Sequence, residues 1–176
     1  NTAQPSDVTN FRLEATDKIT ASWDSPSDAT QVMYYELRTD DKVSNDGDGL
    51  ITRTVSNKTE ISLKDRTGKI YVYVRNLLGT YSRGYIHSYD IPKLEAPRLE
   101  SHKDILGGVS LQFNVKPVTA KELHIKVGNA LYISQTNQYN FMGSAGIYDM
   151  TFCWVDYFGE CVESGSTRIT IQANIP

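Results

Sequence analysis

Apolar side chains recur along this chain at every second position, in short runs separated by Gly, Pro, Asn, Asp and Ser. That period belongs to a strand with one face buried, and the separators are turn formers, so the pattern predicts an all-β chain almost without helix. In the first half the clearest alternations fall at 19–23 (Ile-Thr-Ala-Ser-Trp), 32–38, 60–63 and 70–75 (Ile-Tyr-Val-Tyr-Val-Arg). In the second half they fall at 109–115, 123–127, 148–154 and 168–171. Between them lie Asp24-Ser25-Pro26-Ser27-Asp28, the Gly47 and Gly49 cluster, Asp65-Arg66-Thr67-Gly68, Gly107-Gly108 and Gly143-Ser144-Ala145-Gly146. Turns at this density suggest sandwiches.

The chain also reads as one unit written twice, which sets the domain count better than length does. Each half opens on a Pro-led strand, at Pro5 and at Pro97, and closes on Ile-Pro, at 91–92 and 175–176. The pattern Ile70-x-Val72-x-Val74-x-Asn76-x-x-Gly79 returns eighty residues later as Met150-x-Phe152-x-Trp154-x-Asp156-x-x-Gly159. Domains are therefore expected at 5–92 and 97–176, with 93–96 as a short linker. Units of roughly 80–90 residues with about seven strands have the size of an immunoglobulin-like sandwich. A Pro at each boundary and no Gly/Ser tract predict a semi-rigid pair.

These residues resemble the fibronectin type III family. Trp23, on an early strand followed by Pro26, looks like that family's buried tryptophan, and Tyr35-Glu36-Leu37-Arg38 resembles its third strand. Asn76-Leu77-Leu78-Gly79, with Ser82 shortly after, matches the end of a later strand, so the likeness covers nearly all of 5–92. In the second unit Tyr148 stands eight residues before Asp156, where the family's corner tyrosine would bond back to the backbone. The resemblance implies structural core roles for Trp23, Tyr148 and Trp154. It departs at Gly68, the counterpart of Tyr148, and at Phe113, which stands where the first unit has Trp23. No Trp-Ser-x-Trp-Ser box and no Arg-Gly-Asp occurs, which weakens cytokine-receptor and integrin-binding readings. Acidic, disulfide-poor tandem units with tyrosine-rich strands are similar to the modules of bacteriophage tail-tip and tail-fibre proteins. That likeness implies a virion protein, part of a longer chain and a homotrimer, whose partners are neighbouring domains or subunits and a host-surface protein or glycan. An extracellular adhesion or receptor ectodomain, or an accessory module of a carbohydrate-active enzyme, is the alternative.

Charge narrows the classes. Lys and Arg number 18 against 21 Asp and Glu, a net charge of −3, which argues against a nucleic-acid binder. No apolar run is long enough to span a membrane, and the first residues lack a charged-then-apolar leader. The chain begins without Met and reads as a fragment or processed product. His87, His102 and His124 are isolated in sequence, and neither His-Glu-x-x-His nor Gly-x-Ser-x-Gly occurs. The expectation is a non-enzyme with no cofactor.

Candidate binding residues come from alternation. If Ile70, Val72, Val74, Tyr35 and Leu37 point inward, then Tyr71, Tyr73, Arg75, Tyr34, Glu36 and Arg38 share the outer face, with Tyr85, His87 and Tyr89 continuing it. Tyrosine and arginine are the residues of protein or glycan contact surfaces; tyrosine is equally a strand former that stabilises cross-strand pairs. The acidic segment 40–49 fails the spacing of a calcium loop, since Val43 and Thr52 stand where ligands belong, so it is expected to be a flexible loop and no metal is assigned. Cys153, between Phe152 and Trp154, is expected to face outward. A three-residue hairpin loop would set Cys161 opposite it and permit a disulfide, a two-residue loop would not, and cytoplasmic assembly would favour thiols. Asn57-Lys58-Thr59 is a glycosylation sequon only in a secreted eukaryotic protein.

Overall fold

The computed structural model describes residues 4–27 and 32–173. Asp28 of the first turn and the closing Ile175-Pro176 lie outside the described residues. The chain divides into two units, 1–92 and 93–176.

The first unit holds β1 (Thr9–Ala15), β2 (Ile19–Asp24), β3 (Val32–Arg38), β4 (Leu50–Thr54), β5 (Lys58–Ile61), β6 (Thr67–Asn76) and β7 (Tyr85–Asp90). The second holds β8 (Leu99–Ile105), β9 (Gly108–Phe113), β10 (Ala120–Val127), β11 (Ala130–Ser134), β12 (Gln138–Met142), β13 (Gly146–Asp156) and β14 (Thr167–Ile171). Each unit is a three-stranded sheet, β1-β2-β5 or β8-β9-β12, with a four-stranded sheet, β4-β3-β6-β7 or β11-β10-β13-β14. Every neighbouring pair is antiparallel. The fourth strand of each unit lies beside the third, and the two units share one strand order. This is the fibronectin type III sandwich twice over, an immunoglobulin-like all-β fold.

The cores follow from the alternation. In the first unit Ile19, Ala21 and Trp23 of β2 bury with Tyr35 and Leu37 of β3 and Ile70, Val72 and Val74 of β6. The Trp23 ring meets Tyr35 edge-on at 5.3 Å and stacks on Phe11 at 6.0 Å. In the second unit Leu111, Phe113, Leu123, Ile125, Phe152 and Trp154 form the equivalent core, with Phe113 against Phe152 at 4.7 Å. The large indole has moved from the second strand to the sixth.

Three devices recur. The Asn76 carboxamide accepts the Leu78 and Thr80 N–H groups, and the Asp156 carboxylate accepts that of Phe158. Gly79 and Gly159 close these turns at φ +85° and +74°, where glycine is favoured. Asn57 and Asn137 each accept a strand N–H on the backbone carbonyl and donate a side-chain N–H to the same residue's carbonyl, the first with Trp23 and the second with Phe113, so the amide of Asn57 is engaged with Trp23 O and Ser25 Oγ. Ser82 exchanges bonds with Val74 as Ser164 does with Phe152.

The corner differs. Tyr148 Oη donates to Ser144 O at 2.7 Å. In the first unit, Tyr89 on β7 lies opposite Gly68, its hydroxyl 3.1 Å from where a Cβ there would stand, and donates to Asp65 O at 3.1 Å. The neighbouring strand supplies the tyrosine that Gly68 lacks, as an aromatic fills the space over a glycine in a sheet.

Candidate interaction face

On β3 and β6 the expected rows are present: Tyr34 pairs with Arg75, Glu36 with Tyr73 and Arg38 with Tyr71. What alternation alone does not reveal is the connection from β3 to β4. Residues 39–49 fold back over this face, and Glu36 and Arg38 are both 0% exposed. Arg38 Nε donates to Asp40 at 2.8 Å, and its Nη1 donates to Glu36 at 3.0 Å and to Asn45 O at 2.7 Å. Glu36 also accepts the Ser44 N–H at 2.9 Å and Arg53 Nε at 2.7 Å. Arg53 reaches on to Asp46 at 2.6 Å and Ser44 O at 3.2 Å. Ser44 takes φ +70°, a left-handed conformation that is costly without glycine and held here by these bonds.

Electrostatics follow from the packing. Burial by itself would raise the Glu36 carboxyl, but hydrogen bonds from Arg53, the Ser44 N–H and Arg38 together hold it below the usual carboxylate range. The bond from Arg38 does the same for Asp40. Arg53 is held firmly charged by its bonds to Glu36 and Asp46.

Several expectations are corrected. Arg38 is no contact residue, because the loop buries it. Tyr73 is only 6% exposed, covered at Gly84, whose hypothetical Cβ would stand 2.5 Å from the ring. Segment 40–49 is a hydrogen-bonded cover rather than a free loop. Tyr85 and His87 turn to the other side of their strand, where Phe11 meets them at 5.9 and 5.0 Å; Ile86, opposite Tyr71, takes the outer face. Burial accordingly lowers the His87 pKa. Cys153 does take the outward side of β13, opposite His124, and is buried there, at 1% exposure, beneath its bridge to Cys161 with Cα atoms 5.5 Å apart.

What remains accessible is Tyr34, Tyr71, Arg75 and Tyr81, all half-buried. Arg75 Nη1 donates to Tyr34 Oη at 3.0 Å, and its guanidinium lies 5.5 Å from both the Tyr34 and Tyr81 ring centres. The two phenols are 2.5 Å apart, and Tyr81 Oη donates to Glu36 at 3.3 Å. Burial, the Tyr34 hydroxyl and the charge of Glu36 push the Tyr81 phenol upward. The arrangement is a guanidinium held against two rings and anchored on a buried carboxylate, a shape suited to planar or anionic groups of a partner. Tyr81 escaped the alternation because it lies outside a regular strand, in a single bridge to Arg75. Its signal was the Asn76-x-x-Gly79 turn, which folds 81 back beside 75.

Among the described residues no group of three His, Cys, Asp or Glu is placed to hold a metal ion. His102 is exposed on β8, while His124 pairs with Glu122. Among the described residues no helix is long and apolar enough to cross a membrane.

No protein family matches this chain by sequence, and no curated protein matches it. Among solved structures, a segment of two fibronectin type III domains from chicken tenascin aligns with 95% of this chain and 99% of the other, at 11% identity and a TM-score of 0.41. Strand order and register, not that alignment, assign the fold.

Proposed function

We propose that this chain is a non-catalytic interaction and spacing module, and in its finer reading part of a phage tail-tip or tail-fibre protein that positions or contacts a host-surface receptor. The observation that carries the contact role is the Tyr34-Arg75-Tyr81 stack. Its side chains are held in place before any partner arrives, so binding loses little rotamer freedom, and tyrosine and arginine dominate interface energetics. The tyrosine-rich, acidic tandem architecture supports the tail assignment.

Binding of the chain to intact bacteria tests this, with Arg75→Ala beside it. Saturable binding weakened about tenfold or more, with unchanged melting, is the expected result. Failure of the unaltered chain to bind any cell in a broad host panel would overturn the receptor role and leave spacing.

The disulfide between Cys153 and Cys161 favours a second reading, an exported adhesion or receptor ectodomain or an enzyme's accessory module, because bridges persist in oxidising compartments. Thiol titration of protein taken from its natural source decides between them: a bridge supports the exported reading, and two free thiols support cytoplasmic assembly.

A further inference from the structure

We infer that the second sandwich joins a second copy of this chain through β11, antiparallel about a two-fold axis, so that two four-stranded sheets become one of eight strands. The surface is separate from the Arg75 face.

The starting point is the contrast between the units. In the first, the eleven residues 39–49 between β3 and β4 cover the outer face. In the second, β10 and β11 are joined by Gly128-Asn129 alone, with Gly128 at φ +60°, the two-residue turn that pins a hairpin tightly. The segment after β13 reaches only as far as β10, through the Cys153–Cys161 bridge and the Lys126–Glu163 pair, and β11 ends the strand order with no neighbour beyond it among the described residues. Its outer N–H and C=O groups form an open template.

Open edges are ordinarily guarded by charge. Here β1, β4, β5, β7, β8 and β14 each carry at least one Asp, Glu, Lys or Arg. Of the edge strands among the described residues only β11 and β12 carry none, and the whole stretch 127–148 is uncharged. The β12 edge presents Gln138 and Asn140, whose side chains bond one another. The β11 edge presents Leu131 and Ile133, 48% and 47% exposed, while Tyr132 turns inward against Phe141.

Charge selects the occupant. A two-fold contact brings each strand against its own copy, so any charge near the axis would meet its like. β11 has none, and on the stretch of β10 that pairs with it Lys126 is already matched with Glu163 while His124 is bonded to Glu122. Centred on Tyr132, the antiparallel register sets Leu131 opposite the second copy's Ile133, and the reverse, so four aliphatic side chains close over one another. Cross-strand pairs of this kind stabilise a sheet.

Sedimentation equilibrium of the 176-residue chain over a concentration series tests the inference. A monomer–dimer equilibrium is expected, weakened about tenfold or more by Ile133→Lys with no change in melting, because position 133 points away from the core. Register is tested by oxidative cross-linking: Leu131→Cys mixed with Ile133→Cys yields covalent dimer, and either variant alone yields far less. A chain monomeric at every concentration, a trimeric mass, or a dimer indifferent to Ile133→Lys would overturn it. Success or failure leaves the Arg75 binding result untouched.

Discussion

Glu36 shows how much one side chain can organise. It sits fully buried between two arginines, a backbone N–H and a phenol. A buried ion pair need not stabilise relative to an apolar pair, but breaking one leaves a charge without compensation. Glu36→Gln should therefore destabilise the first unit by about 3 kcal/mol near neutral pH in urea melts. Because the folded-state pKa is depressed, that stabilisation is present above the unfolded value of about 4.3 and disappears as pH falls through the folded one. The two proteins should diverge at pH 7 and converge in strong acid. His87 has the same sign for another reason. Burial lowers its pKa, so the unfolded chain binds more protons below 6.5 and stability falls with pH through that window. His87→Phe, which keeps a ring beside Phe11, should flatten the melting profile between neutral pH and the mid-fives.

At the level of elements, close packing of strand against loop decides the outcome. Gly84 has φ +101° and lies against the Tyr73 ring, so Gly84→Ala meets both a backbone penalty and a clash. A loss of about 2 kcal/mol is expected, seen as a lower midpoint in chemical denaturation of the first unit alone. The two corners should respond alike despite their different origins. Tyr89→Phe and Tyr148→Phe each remove one hydroxyl-to-carbonyl bond, at Asp65 and Ser144, and each should cost about 1 kcal/mol in its own unit. The six strands at sheet centres, β2, β3, β6, β9, β10 and β13, were all legible as alternations, because each has one face wholly in the core. Of the edges, β5 and β14 were legible too, at 60–63 and 168–171, whereas β4, β8 and β11 were not, since those three bury too little of one face to stamp a period on their residues.

For the whole molecule, each unit encloses its own core, so calorimetry should resolve two transitions. Reducing the Cys153–Cys161 bridge, or replacing both residues by Ala, should lower only the second unit's transition. Closing a loop of that length is worth about 2–3 kcal/mol in chain entropy. The sequence by itself determined the all-β class, the two-fold repeat with its Asn76 and Asp156 turns, the central strands, and the face on which Tyr34, Tyr71 and Arg75 lie. All of these follow from local alternation and turn chemistry, which are written within a few residues. Only the tertiary structure decided that segment 39–49 closes over Glu36 and Arg38, that Tyr81 rather than Tyr73 completes the accessible stack, and that β11 is left bare. Those outcomes depend on where a connection lands after the sheets have formed, and on hydrogen bonds between groups far apart in sequence. No period along the chain records them.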